Sequence, residues 1–152
     1  MLKLATATVF VVLSLAGWLP GDAHAAFPAN LTRAVAVADA HWPSSPCHGR
    51  EHLVTTAPEV MDAVTGTTTA YAAAFATRDP CDVRVVWSRI APLPWWMRCK
   101  VFAHEFGHLA NHWHINNPVS LMYPYLNGAN QNAMDCYRAF PPTALEVMQW
   151  SL

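Results

Sequence analysis

The eleven residues from His104 to His114, HEFGHLANHWH, constrain this chain more than any other stretch. They contain His-Glu-x-x-His and then two further histidines, His112 and His114. On an α-helix residues four apart lie one above the other, so His104 and His108 can offer two imidazole nitrogens to one metal ion. Glu105 sits one position round. From there its carboxylate can take a proton from a water at that ion without being a ligand itself.

The residues before the motif support a helix. Pro94 suits a first helical turn, where its missing N–H would have been unpaired anyway. Trp95, Cys99, Phe102, Phe106 and Leu109 recur at steps of four, three, four and three, which draws one apolar stripe. The two histidines fall on the opposite side, so the helix has a core face and a metal face. A core helix whose histidines are merely hydrogen-bonded would carry the same short motif. The residues beyond His108 separate the two readings.

Extended to His114 the pattern is HExxHxxNxxH, with Asn111 at the centre of its second half. In this the chain resembles the metzincin zinc peptidases, whose motif is HExxHxxGxxH. The family's glycine ends the helix in a left-handed conformation and turns the chain so that a third histidine reaches the metal. Asparagine is the non-glycine residue that tolerates this conformation best. A second mark is Ser120-Leu121-Met122-Tyr123-Pro124, which is similar to the metzincin Met-turn, where a methionine forms an apolar floor under the metal. Its Met-Tyr-Pro sequence resembles the matrixin branch; astacin-like and serralysin-like members carry a tyrosine where Pro124 stands.

The resemblance implies an α+β fold, a small metzincin-like zincin domain. It would have a twisted mixed sheet of three to five strands packed with an opening helix, a metal-site helix and a C-terminal helix. It implies one catalytic Zn2+ on His104, His108 and His114, with Glu105 as general base, Asn111 as helix-ending turn and Met122 as floor. His112 is the competing third ligand. On a straight helix three ligands four apart would stand roughly 6 Å apart in rise, too spread to meet one ion at about 2.0–2.1 Å. A turn at Asn111 favours His114. The strand before the metal helix forms the rim of the family's cleft, here Val83 to Ser88, so Val83, Val85, Trp87, Tyr123 and Tyr125 are the expected cleft residues.

Residues 1–25 are expected to be a signal peptide: Lys3, an apolar run from Leu4 to Leu19, then Pro20, Gly21 and Ala23-x-Ala25. Residues 26–152 would then form one domain, too small to include a separate pro-domain. Net charge is −1 and the basic residues form no stripe, which argues against nucleic acid or an anionic membrane as partner. All four cysteines lie beyond the expected cleavage point, so two disulfides are expected. Of three pairings, Cys47–Cys81 with Cys99–Cys136 is favoured; it ties the opening helix to the sheet and the metal helix to the segment beyond the Met-turn. A rival makes Cys47 a thiolate that caps the metal in a latent form, although Ser45-Pro46-Cys47-His48-Gly49 lacks the matrixin motif for this.

Elsewhere the pattern predicts a helix over Asn30–Trp42 with Asn30 as N-cap, and strands at His52–Thr56, Thr67–Ala76 and Val83–Ile90, the Ala-rich middle run being open to a helical reading as well. Asn127-Gly128 signals a turn, and Thr143-Ala144-Leu145-Glu146 has capping-box spacing before a last helix to about Trp150. Asp135 and Glu146 are further conceivable ligands, needed only if His114 does not bind.

The expected activity is that of a secreted, monomeric zinc-dependent endopeptidase acting on protein or peptide substrates. It would use a water on a zinc ion held by three histidines, and a glutamate general base. Calcium is allowed but not indicated. Two alternatives stand beside it: a secreted zinc-stabilised binding protein of peptidase fold without turnover, and a zinc amidase acting on cell-wall peptide crosslinks.

Overall fold

The computed structural model describes residues 29–74, 80–125 and 134–146. Its elements run α1 (Ala29–Ala40), β1 (His52–Thr55), α2 (Pro58–Thr65), β2 (Ala72–Ala74), β3 (Asp82–Val85), α3 (Trp87–Ile90), α4 (Trp95–Leu109) and α5 (Met134–Ala139). The expected signal segment, the Phe75–Ala76 end of the expected second strand, Asn127-Gly128 and the helix beyond Glu146 lie outside the described residues. Among the described residues no helix is long and apolar enough to cross a membrane.

Among the described residues the architecture is α+β with an open mixed sheet of three strands in the order β1-β3-β2. β1 runs parallel to β3 and β2 antiparallel to it. One buried cluster joins Leu31, Ala34 and Ala38 of α1 to Val83 and Val85 of β3, and to Met97, Cys99, Phe102 and Phe106 of α4. The apolar stripe of α4 therefore does what its spacing predicts, with Trp95 and Leu109 packed at the two ends. Alanines on the buried face of α1 let it lie close along α4. Trp42, just beyond α1, fixes the pair by donating its indole N–H to the Ala103 carbonyl at 2.7 Å.

Several expected boundaries are corrected. Asn30 is inside α1 and is no N-cap. The strand expected to run from Val83 to Ile90 stops at Val85, and Trp87–Ile90 form a single helical turn. Val83 and Val85 alternate into the core, but the apolar run beyond them serves a turn equally well. α2 lies where no element is expected, although its signals are present: Pro58 in the first turn, Glu59 after it, and Gly66 closing the helix at φ 69°. α2 and α3 are joined by a two-pronged ion pair, Arg89 Nη1 to Asp62 Oδ1 at 2.7 Å and Nη2 to Oδ2 at 2.9 Å. Arg89 also donates to the Ala70 carbonyl at 2.9 Å, which holds the approach to β2. At the other end the capping box is made: Glu146 Oε2 accepts from Thr143 N–H at 2.6 Å, and Thr143 Oγ1 accepts from Glu146 N–H at 3.3 Å.

The disulfides are Cys47–Cys81 and Cys99–Cys136, with Cα atoms 5.3 and 5.6 Å apart. Cys47 is thus bonded and no latent metal cap. The second bridge ties α5, a helix the sequence did not announce, to the core face of α4. Replacing Cys99 and Cys136 by alanine is expected to lower stability by about 2–5 kcal/mol, because a loop spanning 37 residues regains its freedom in the unfolded chain. Denaturant unfolding of the purified variant checks this.

Candidate metal centre

α4 carries His104 and His108 on one face, one turn apart. It ends in a helix-terminating motif built without glycine. Asn111 has φ 63°, the one positive φ outside glycine among the described residues. Its N–H donates to the His108 carbonyl at 3.0 Å, and the next N–H, of His112, reaches back to the Gly107 carbonyl at 2.9 Å. This is the paired hydrogen-bond pattern of a left-handed helix stop, with asparagine in the usual place of glycine. The chain reverses there, and His114 returns to the two helical histidines.

The three Nε2 atoms converge: His114 Nε2 stands 3.2 Å from that of His104 and 3.2 Å from that of His108. The orientation of the helical pair is fixed from behind. His104 Nδ1 faces the Leu121 carbonyl at 2.7 Å, and His108 Nδ1 faces the His112 carbonyl at 2.8 Å. Carbonyls only accept, so each Nδ1 carries the proton and each Nε2 presents a lone pair. Burial holds both rings neutral: it pushes His104 down to about 4, opposed by the Leu121 bond and assisted by His108 and His114, and it lowers His108 as well. Lone pairs aimed at one point are satisfied by a cation. Ligands about 2.0–2.1 Å from a tetrahedral ion lie about 3.3 Å from one another, close to the separations found. The set fits a divalent ion such as zinc without specifying it.

His112 does not join the cluster. Its ring packs on Trp42 with centroids 4.4 Å apart, and its carbonyl orients His108. Asp135 pairs instead with Arg138 at 3.4 Å and His41 at 3.7 Å, and Glu146 is engaged in its cap. His114→Ala is therefore expected to lose the metal on dialysis against a weak chelator, with His112→Ala retaining it. Metal analysis of the two dialysed variants reads the difference, and the reverse pattern would make His112 the ligand.

Met122 is buried against α4 at Gly107, where a built Cβ would lie 2.5 Å from its Sδ. The turn holding it is closed by Ile115 N–H donating to the Met122 carbonyl at 2.9 Å. The same turn supplies the Leu121 carbonyl that orients His104. Glu105 is buried, and its Oε2 accepts the backbone N–H of Ala74 at 2.8 Å. Burial pushes its carboxyl up to about 7, with the Ala74 N–H pulling the other way.

His104, Glu105, His108 and His114 line one cavity together with Ala72–Ala74, Tyr123 and Tyr125. Both tyrosines line it. Val83, Val85 and Trp87 do not: the first two are buried core residues, and Trp87 packs on the core from α3. The reason is strand order. β3 is the central strand, paired on both edges, so the strand bordering the site is β2 and not the expected Val83–Ser88. No sequence pattern announces Lys100, buried in the same cavity wall with its ammonium 5.4 Å from the Trp96 ring and 5.6 Å from that of Tyr137. Burial lowers its pKa to about 8. A lone glycine inside a helix is a warning of close packing, and Gly107 is legible in that way. Compared with known protein families, curated proteins and solved structures, the chain finds no match.

Proposed function

We propose that the chain is a zinc-dependent endopeptidase of metzincin, matrixin-like type. The observation that carries this reading is three histidine Nε2 atoms converging beside a buried glutamate in a cleft bordered by a strand edge. The left-handed Asn111 and the packing of Met122 under α4 add support. His104, His108 and His114 would hold the zinc ion, which when bound would supply Lewis acidity and lower the pKa of a water towards about 7.

The chain's own residues do the rest. Leu121 and His112 hold the imidazoles in the ligating tautomer. Glu105, whose Oε2 accepts from Ala74 N–H, would take the proton of the attacking water and return it to the departing amine. The edge of β2, unpaired among the described residues, would offer an extended peptide backbone pairing along the cleft. The two disulfides fit secretion, and the expected partner is a protein or peptide bound by a monomer.

Glu105 favours this reading over a zinc-stabilised binding protein. A purely structural ion needs no base, and a buried carboxyl beside it is costly to keep. Digestion of a mixed peptide pool by the zinc-loaded chain tests the proposal. New peptide termini, absent with Glu105→Ala, are expected; cleavage confined to cell-wall crosslinks would make the enzyme an amidase instead.

A further inference from the structure

Among the described residues β2 pairs on one side only, with β3, and its backbone groups are not used equally. Val86 N–H donates to the Tyr71 carbonyl at 2.9 Å, and the register continues Ala72↔Val85, Ala73↔Arg84, Ala74↔Val83. Opposed residues in an antiparallel pair alternate between bonded and non-bonded. Ala73 therefore directs its N–H and C=O to β3, while those of Ala72 and Ala74 point out of the sheet. The β1 side agrees: His52 N–H donates to the Cys81 carbonyl at 3.1 Å and Thr56 N–H to the Val85 carbonyl at 2.9 Å, so odd-numbered residues of β3 face β1. Of the outward groups, the N–H of Ala74 is taken by Glu105 Oε2 at 2.8 Å.

We infer that Ala74 is a positioning residue, whose backbone N–H clamps the Glu105 carboxylate and at the same time closes that position of the strand edge to substrate. The inference rests on the reading of Glu105 as general base. A hydrogen bond to an ionised carboxylate is stronger than a neutral one, and it fixes the rotation of the carboxylate. A substrate chain laid along β2 then finds a donor and an acceptor at Ala72 but no donor at Ala74. Its register is set by the residue that positions the base. The strand that aligns the peptide and the group that activates water are thus mechanically one unit, which ties the point of cleavage to the pairing register.

Amide hydrogen exchange tests the clamp without using activity. In the wild-type chain the Ala74 amide is expected to exchange about tenfold or more slowly than that of Ala72, although both point away from β3 and Ala72 is the more buried residue. In Glu105→Ala it should exchange as fast as Ala72, with Ala73 slow in both proteins. Equal, fast exchange at Ala72 and Ala74 in the wild type would overturn the inference.

Proline supplies the functional arm. At an outward-facing strand position it removes an N–H without breaking the ladder. Ala74→Pro is expected to keep its zinc and its KM while kcat falls about 10- to 100-fold from misplacement of the base. Ala72→Pro should instead raise KM. An unchanged kcat in Ala74→Pro, or a loss seen only in KM, would contradict the assignment. If Ala74→Pro fails to fold, the exchange pattern decides alone. If the chain proves not to cleave peptides at all, the exchange pattern still reports the clamp, so the two failures are distinguishable.

Discussion

Glu105→Ala is expected to reduce peptide hydrolysis by at least about a hundredfold while fold and zinc content are retained, the scale at which general-base catalysis contributes. The residue is buried and lies next to His104, and among the described residues its carboxylate is held by a backbone N–H, so the substitution removes no ligand and no ion pair. Stability should move in the direction opposite to activity. Burial raises the folded carboxyl from 4.5 to about 7, so in the metal-free wild type the folded state is penalised as pH rises through that interval. The penalty is absent below about 4.5 and complete above about 7, with an upper bound of about 3 kcal/mol. The alanine variant escapes it, less what it loses with the Ala74 bond and the cavity left behind. Thermal unfolding of both metal-free proteins at about pH 5 and about pH 8, either side of that interval, is expected to show the variant relatively more stable at the higher pH. Near-wild-type turnover in the zinc-loaded variant would remove Glu105 from the mechanism.

The second large effect is expected at Gly107. Alanine there should gain about 1 kcal/mol of helix propensity. Its Cβ, however, would stand 2.5 Å from Met122 Sδ and 2.9 Å from Trp42 Cζ2, closer than carbon tolerates. The thioether is flexible and could give way in an open site, but Met122 is buried and its backbone carbonyl is bonded to Ile115 N–H. Trp42 is held by its bond to Ala103. The strain passes to the Leu121 carbonyl and to the His112 ring, whose residues orient the two helical ligands. Gly107→Ala is expected to cost about 1–3 kcal/mol net. It should also weaken zinc binding about 10- to 100-fold through the orienting groups behind the ligands. Denaturant unfolding and a competitive zinc titration measure the two effects; unchanged values in both would mean the packing under α4 is looser than its distances imply.

What is legible in the sequence is local. His104, Glu105 and His108 share a helix, so spacing alone orders them, and Asn111 declares its turn by being the residue that tolerates a left-handed backbone. The capping box at Thr143 and Glu146 is local in the same sense. α2 and α5 escape a reading by periodicity because helices of 8 and 6 residues are too short to draw a stripe. The expected cleft rim fails for another reason. Alternation tells which side chains of a strand are buried, but not whether the strand is central or at the edge, and Val83 and Val85 alternate equally well in either place. Sheet order is decided by partners far away in sequence. The same holds for the contact between Ala74 and Glu105, 31 residues apart, where one partner is a backbone amide that no side-chain pattern can announce. Trp42 likewise reads as the end of a helix stripe, and its indole bond to Ala103, 61 residues away, emerges only in the fold.

The most direct measurement is a titration of the metal-stripped chain with zinc, following cleavage of a mixed peptide pool at each addition. Hydrolysis should be absent at the start and rise linearly to a break at one zinc per chain, and His114→Ala should show no such break. Cleavage that survives stripping, or zinc bound at one per chain with no peptide cleaved, would contradict a three-histidine zinc peptidase.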